Sequence, residues 1–175
     1  MGTGIILCGL NGVGKSTLGK ALAAELNFHF IDNEELFFPK TGAAYIYRHS
    51  RTRKEVEKLL LHEVAVYENF VFTAVKGDYG EKILPYYTYA VLIEVPRNIR
   101  LQRVENRSFE KFGDRILPGG DLYEQEKRFF DMVKSRKEDE AAQWACSIGC
   151  PVIRIDGTRA VEENVRVIRE RMREW

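Results

Sequence analysis

The sequence predicts a three-layer α/β fold with a mostly parallel central sheet, and three observations carry that expectation. Short apolar runs alternate with helical periods along nearly the whole chain, the pattern of strands joined by crossover helices. The first run, Ile5-Ile6-Leu7-Cys8, is apolar without alternation, as a strand covered on both faces must be. A glycine-rich turn, Gly9 to Gly14, follows directly and opens a helical pattern, giving the strand, tight loop and helix that begin a βαβ unit.

Each element then follows in order. From Lys15 the apolar residues Leu18, Leu22 and Leu26 fall four apart, and Phe28 to Ile31 forms a second short strand stopped by Asp32. Residues 33–50 are irregular, with Phe37-Phe38-Pro39 and a break at Thr41-Gly42, before a helix marked by Val56, Leu59, Leu60, Val64 and Tyr67. Phe70 to Val75 reads as the third strand and Tyr89 to Val95 as the fourth, closed by Pro96. Arg97 to Asn106 is helical, with Leu101 and Val104 inward. The stretch 107–120 is charged, holds Gly113, Pro118, Gly119 and Gly120, and reads as an excursion between helices that can serve as a lid. A long helix carrying Leu122, Phe129, Val133 and Trp144 leads through Gly149-Cys150-Pro151 to a strand at Val152 to Ile155. Val161, Val165, Ile168, Met172 and Trp175 mark the last amphipathic helix. In open sheets of this kind ligands sit beyond the C-terminal ends of the strands.

A chain of 175 residues suits one domain, spanning 1–175. Lys and Arg number 27 against 26 acids, so overall charge gives no drive toward nucleic acid or an anionic membrane, and any anion site must be local. Neither a basic N-terminal leader nor an apolar run of membrane length is present, so a cytoplasmic location is expected. Cys8, Cys146 and Cys150 match neither a paired metal motif nor a disulfide framework, and are read as reduced thiols.

Gly9-Leu10-Asn11-Gly12-Val13-Gly14-Lys15-Ser16-Thr17 satisfies the pattern G-x-x-x-x-G-K-[ST] in full, between a strand and a helix. Glycines let the backbone turn so that several N–H groups converge on phosphate oxygens at the positive end of the helix. Lys15 brings a mobile charge to the β and γ phosphates, and the Ser16 hydroxyl is placed to ligate Mg²⁺. A chance match in a chain this long has a probability of roughly one per cent. Gly9, Asn11, Gly12, Val13, Gly14, Lys15, Ser16 and Thr17 are therefore the expected phosphate site, with ATP and Mg²⁺ as its cofactors. No D-x-x-G switch or N-K-x-D guanine reader occurs, and Phe70 to Val75 runs into Lys76-Gly77-Asp78 rather than into paired acids. Switch GTPases and large motor ATPases are thereby disfavoured.

The motif GLNGVGKST, the segment FIDNEEL, the arginine series in VPRNIRLQRVENRSFEKFGDR and the segment PVIRIDGTRAVEENV together resemble the small P-loop kinases of the nucleoside-monophosphate, shikimate and gluconate kinase group, over nearly the full chain. That resemblance implies a five-stranded sheet of order 2-3-1-4-5. It implies that Asp32 lies near acceptor and Mg²⁺, orienting a hydroxyl or holding a metal-bound water, with Glu34 as companion; a plain helix cap is the other reading of Asp32. Among Arg97, Arg100, Arg103, Arg107 and Arg115, it selects Arg107 and Arg115 for adenine stacking and phosphate contact, so that Lys15, Asp32 and Arg115 are the expected catalytic residues. The turn Asp156-Gly157-Thr158-Arg159 is expected to line the adenine, with Thr158 capping the last helix as its other reading.

Acceptor specificity is expected within residues 33–80, where Phe37, Phe38, Tyr45, Tyr47, Arg48, His49, Arg51 and Arg53 mix aromatics with cations. From that region Arg48, Gly77 and Asp78 are the candidates, the glycine for close approach and the aspartate as base or anchor. Gly77-Asp78-Tyr79-Gly80 matches the glycine cluster of shikimate kinases only in part, and their lid sequence is not reproduced, which puts a shikimate assignment in doubt. The expected activity is transfer of the γ-phosphoryl group of ATP to a small molecule or nucleotide. The competing expectation is a regulatory module with slow hydrolysis, from which stimulation by an acceptor distinguishes it.

Overall fold

In a computed structural model, residues 2–39 and 50–174 are described. Five parallel strands, β1 (Gly4–Cys8), β2 (His29–Asp32), β3 (Phe70–Ala74), β4 (Tyr89–Glu94) and β5 (Val152–Asp156), form one sheet of order β2-β3-β1-β4-β5. β1 is central, with Ile5 opposite both Val71 of β3 and Tyr89 of β4. Every residue of β1 and β3 is buried, which accounts for their uninterrupted apolar sequence.

The alternation of the pleat divides those residues between two cores. Ile5 and Leu7 pack with Leu18, Leu22 and Ala23 of α1 (Lys15–Leu26) and with Val165 and Ile168 of α7 (Val161–Met172). Ile6 and Cys8 face Val56, Leu60 and Val64 of α3 (Arg53–Val66) and Ala141 and Ala145 of α6 (Glu140–Ser147). α3 starts with a full capping box, in which Thr52 and Glu55 satisfy each other's backbone N–H groups. The short helix α2 (Asn33–Phe37) leaves β2 at once. Among the described residues, no helix is long and apolar enough to cross a membrane.

Two expectations about the second half change. The helix expected to stop at Asn106 runs on as α4 (Arg97–Phe112), so the excursion is confined to residues 113–122, and its first turn is a 3₁₀ helix at Gly113–Ile116. No breaker stands between Arg107 and Phe112, and the buried Ser108 hydroxyl donates to Glu126 Oε2 at 2.9 Å, fixing that part of α4 against α5 (Tyr123–Ser135). Gly113, with φ +56°, ends the helix.

The single long helix expected after Leu122 is instead α5 and α6, separated at Arg136, whose ψ of 137° is extended. Tertiary contacts replace the lost helical bonds there. Arg97 donates to the Lys134 carbonyl at 2.8 Å, and Arg97 and Arg100 both pair with Glu138. Arg100 is 1% exposed, with two of its guanidinium nitrogens unpartnered, so Glu138 supplies its countercharge.

Candidate active site

The C-terminal ends of β1, β2 and β3 open into a cleft of about 540 Å³, and the glycine-rich turn forms its floor. Gly12 and Gly14 have φ of +88° and +92°, a region L side chains rarely enter. A Cβ on Gly12 would also collide with the Arg100 carbonyl, so the first turn of α4 lies directly against the loop. Gly14 then leads into α1, whose first residues, Lys15, Ser16 and Thr17, all line the cleft. The result is a backbone concavity at a helix N-terminus, suited to a chain of phosphates.

Lys15 is held over its own loop, its Nζ donating to the carbonyls of Gly9 at 2.9 Å and Leu10 at 3.0 Å. Loss of surrounding water pushes its ammonium down to about 8, the Arg107 guanidinium pushes the same way, and Asp32 works against both. Burial pushes the neighbouring Cys8 thiol up to about 12, which keeps it neutral.

Asp32 caps a helix and also lines the cleft. Its Oδ1 accepts from the Glu34 amide at 2.9 Å and so caps α2, while the same carboxylate lines the cleft beside Lys15. Glu34, Phe37 and Phe38 form the neighbouring wall, with Thr73 to Val75 behind. Ser16 and Asp32 both line the cleft and offer oxygens that could hold a Mg²⁺ ion. Among the described residues no cluster of three or more acids, histidines or cysteines could hold a metal alone, and an ion kept by one hydroxyl, one carboxylate, water and substrate phosphates needs no such cluster.

The opposite wall is cationic. Arg103 and Arg107 on α4, Arg136 at the α5–α6 corner, and the apolar Phe129 and Met132 on α5 line it. Arg103 donates to the Gly157 carbonyl at 3.1 Å and the Gly12 carbonyl at 3.5 Å, tying the turn after β5 to the phosphate loop. Gly157 and Thr158 lie behind that tie and do not border the cleft, and Thr158 is occupied with Asp156 through its amide at 2.8 Å and its hydroxyl at 2.6 Å. Gly9 and Val13 also stand back, Gly9 as the carbonyl under Lys15 and Val13 as a core residue.

Several expected residues are elsewhere. Arg115 forms a two-pronged pair with Asp121, at 2.9 and 2.7 Å, closing the 113–122 excursion on itself outside the cleft lining. Gly77 backs onto the core: a Cβ there would come 2.7 Å from Tyr87 Oη and 3.0 Å from Trp144, so its missing side chain serves packing. Asp78 lies between Arg53 at 3.5 Å and Lys76 at 3.8 Å, also off the cleft lining. Arg48, with Tyr45, Tyr47 and His49, lies outside the described residues. Arg136 was not among the expected residues. Its signal is the seven-residue run Lys134-Ser135-Arg136-Lys137-Glu138-Asp139-Glu140, which lacks any apolar residue and so cannot continue an amphipathic helix.

The fold and sequence have known relatives. A family model described as an AAA domain matches residues 5–121. Over 171 residues the chain is 29% identical to the uncharacterized protein YqaC of Bacillus subtilis strain 168, covering 92% of each. It is 33% identical over 132 residues to a shikimate kinase of Phocaeicola vulgatus, covering 65% of this chain and 75% of the relative. Among solved structures, a shikimate kinase from Acinetobacter baumannii in complex with shikimate superposes with a TM-score of 0.61 at 21% identity, over 98% of this chain and 93% of that one. A gluconokinase from Sinorhizobium meliloti gives 0.59 at 16% identity, over 94% and 88%. The two structures speak for the fold; the sequence matches speak for descent. The chain belongs to the AAA-domain family and to the small P-loop kinases of the nucleoside-monophosphate, shikimate and gluconate kinase group.

Proposed function

We propose that this kinase transfers the γ-phosphoryl group of ATP to a hydroxyl of a small hydroxylated acid. One observation carries the choice of acceptor: a carboxylate, Asp32, and a guanidinium, Arg136, line the same cleft as Lys15. Asp32 suits the orientation of a hydroxyl, and Arg136 suits a carboxylate on the same molecule. The shikimate kinases and the gluconokinase to which the chain is similar are named for acceptors of that chemistry.

In this reading the backbone N–H groups of the loop and Lys15 take the β and γ phosphates, and Arg107 approaches the transferring group from α4. Mg²⁺, held from Ser16 and Asp32, supplies charge neutralisation across the phosphates when bound. The acceptor oxygen forms a bond to the γ phosphorus while the bond from that phosphorus to the β–γ bridging oxygen breaks. ADP leaves, a phosphate monoester forms, and the hydroxyl proton passes to Asp32 and then to solvent. Phosphoryl transfer needs placement and charge more than covalent help, and the two cleft walls offer both.

The test is ADP release from MgATP across hydroxy acids, nucleosides and nucleoside monophosphates, with Lys15→Ala as control. Stimulation by hydroxy acids, lost in the variant, is expected. Stimulation by nucleoside monophosphates alone would overturn the acceptor class. A slow rate indifferent to every acceptor would instead match a nucleotide-driven regulatory module.

A further inference from the structure

Arg136 lines a second hollow of about 680 Å³ as well as the cleft. Lys76, Lys137, Glu140, Gln143 and Trp144 form its other sides. Lys76 directly follows Val75, a residue of the cleft wall, so the chain leaving β3 borders both spaces.

The charges around this hollow do not balance. Asp78 is shared between Lys76, at 3.8 Å, and Arg53, at 3.5 Å, so one carboxylate serves two cations. Glu140 takes Arg136 Nη1 at 2.8 Å, while the buried Nε of that guanidinium has no partner. Lys137 is exposed and forms no ion pair among the described residues. Of the residues lining the hollow, Lys76, Arg136 and Lys137 are cations and Glu140 is a carboxylate. Beside them stands a fixed aromatic wall. The Trp144 ring meets Tyr87 edge-on at 6.3 Å between centroids, and it sits close over Gly77, where a Cβ would be 3.0 Å from the indole.

We infer that the acceptor is a hydroxy acid with a second anionic group, held between Lys76 and Lys137 beside Trp144 while Arg136 spans the two spaces. A surplus of positive charge next to a partly covered indole favours an anion on a short carbon frame over a neutral extension. The second group is a phosphate or a carboxylate, since lysine ammonium groups accept either as point charges. This inference rests on the hydroxy-acid reading given above.

Binding reports on it directly, because Trp144 and Trp175 are the two tryptophans of the sequence. With Trp175→Phe, the remaining indole emission follows occupancy of the hollow. The full chain with a non-hydrolysable ATP analogue and Mg²⁺ is titrated at constant ionic strength with matched sets of three- to six-carbon hydroxy acids. Each set holds the monocarboxylate, the dicarboxylate and the terminal phosphate ester, as in gluconate, glucarate and 6-phosphogluconate. At least one member with a second anionic group is expected to bind about tenfold tighter than its monocarboxylate partner and to shift the indole emission. Which arm gains identifies the group. Lys76→Met with Lys137→Met is expected to reduce that preference to about twofold or less, while a fluorescent ADP analogue reports an intact nucleotide site.

Equal affinity within every set, or a preference that survives the double variant, overturns the inference. The two readings fail separately. Acceptor-stimulated ADP release without a dianion preference removes only the second anionic group, whereas a lysine-dependent dianion preference without acceptor stimulation removes the phosphotransfer acceptor and leaves a binding site.

Discussion

Raising the pH from 7 to 9 is expected to weaken nucleotide binding about tenfold, through loss of a proton from Lys15. The ammonium lies over the Gly9 and Leu10 carbonyls in the free protein and titrates at about 8, below the ordinary lysine value of 10.5, because it is cut off from water and faces Arg107. Phosphate oxygens favour its charged form, so the nucleotide-bound pKa must be higher than the free one. Affinity is therefore fully present below the free pKa and is lost as the pH rises through it. At pH 7 the group is about 90% protonated and at pH 9 about 9%, which gives the tenfold ratio. Cys8 and Tyr79, each raised to about 12, stay neutral over this range and do not confuse the profile.

The assay is titration with a fluorescent ADP analogue and Mg²⁺ from pH 6.5 to about 9.5 at fixed ionic strength. Arg107→Gln removes one cause of the depression, so the midpoint should move upward. Lys15→Arg should give a flat profile, since a guanidinium does not lose its proton in this range. The stability of the free protein has the opposite sign. Between the folded value of about 8 and the unfolded value of 10.5 the unfolded chain binds more protons, so this residue's contribution makes the free protein more stable as pH rises. A flat affinity profile in the unaltered protein, or a midpoint near the ordinary lysine value, would refute the reasoning.

Three substitutions separate the parts of the site. Gly12→Ala is expected to abolish measurable nucleotide binding and to cost roughly 2 kcal/mol or more in denaturant unfolding, because a positive φ and a collision with the Arg100 carbonyl coincide there. Glu138→Ala strips the buried Arg100 of its countercharge; since Glu138 is half exposed, a loss of about 2 kcal/mol is expected in the same measurement, with a raised acceptor KM as the corner carrying Arg136 loosens. Arg107→Ala is expected to lower kcat about a hundredfold, whereas Arg115→Ala, which breaks an exposed pair with Asp121, should change it by less than about threefold in steady-state kinetics.

The phosphate loop and the central strand were legible because each is dictated locally. Ile5 to Cys8 must be apolar on both pleat faces, and the turn after it needs residues that tolerate a left-handed backbone. The sheet order required the family resemblance, since apolar runs alone do not say which strands are neighbours; the structure has the order 2-3-1-4-5. What the sequence concealed depends on distant contacts. The glycines and Pro118 between Gly113 and Gly120 drew the start of the excursion too early, yet Ser108 is held by Glu126 across the helix pair, and α4 continues to Phe112. The resemblance selects Arg107 and Arg115 alike; Asp121, six residues beyond Arg115, pairs with one, while the other lines the cleft. Arg136 reaches the site only because α5 stops, and α5 stops where Arg97 and Arg100, nearly forty residues earlier, take Lys134 and Glu138.

Transfer requires that phosphates on the glycine-rich turn and a hydroxylated acid between Asp32 and Arg136 meet in one cleft. Phosphorus NMR of the protein with MgATP and a panel of hydroxy acids tests it most directly. A new phosphomonoester signal growing in step with ADP, absent with Lys15→Ala, is expected. Inorganic phosphate as the sole product, formed at one rate whatever acid is present, would contradict it.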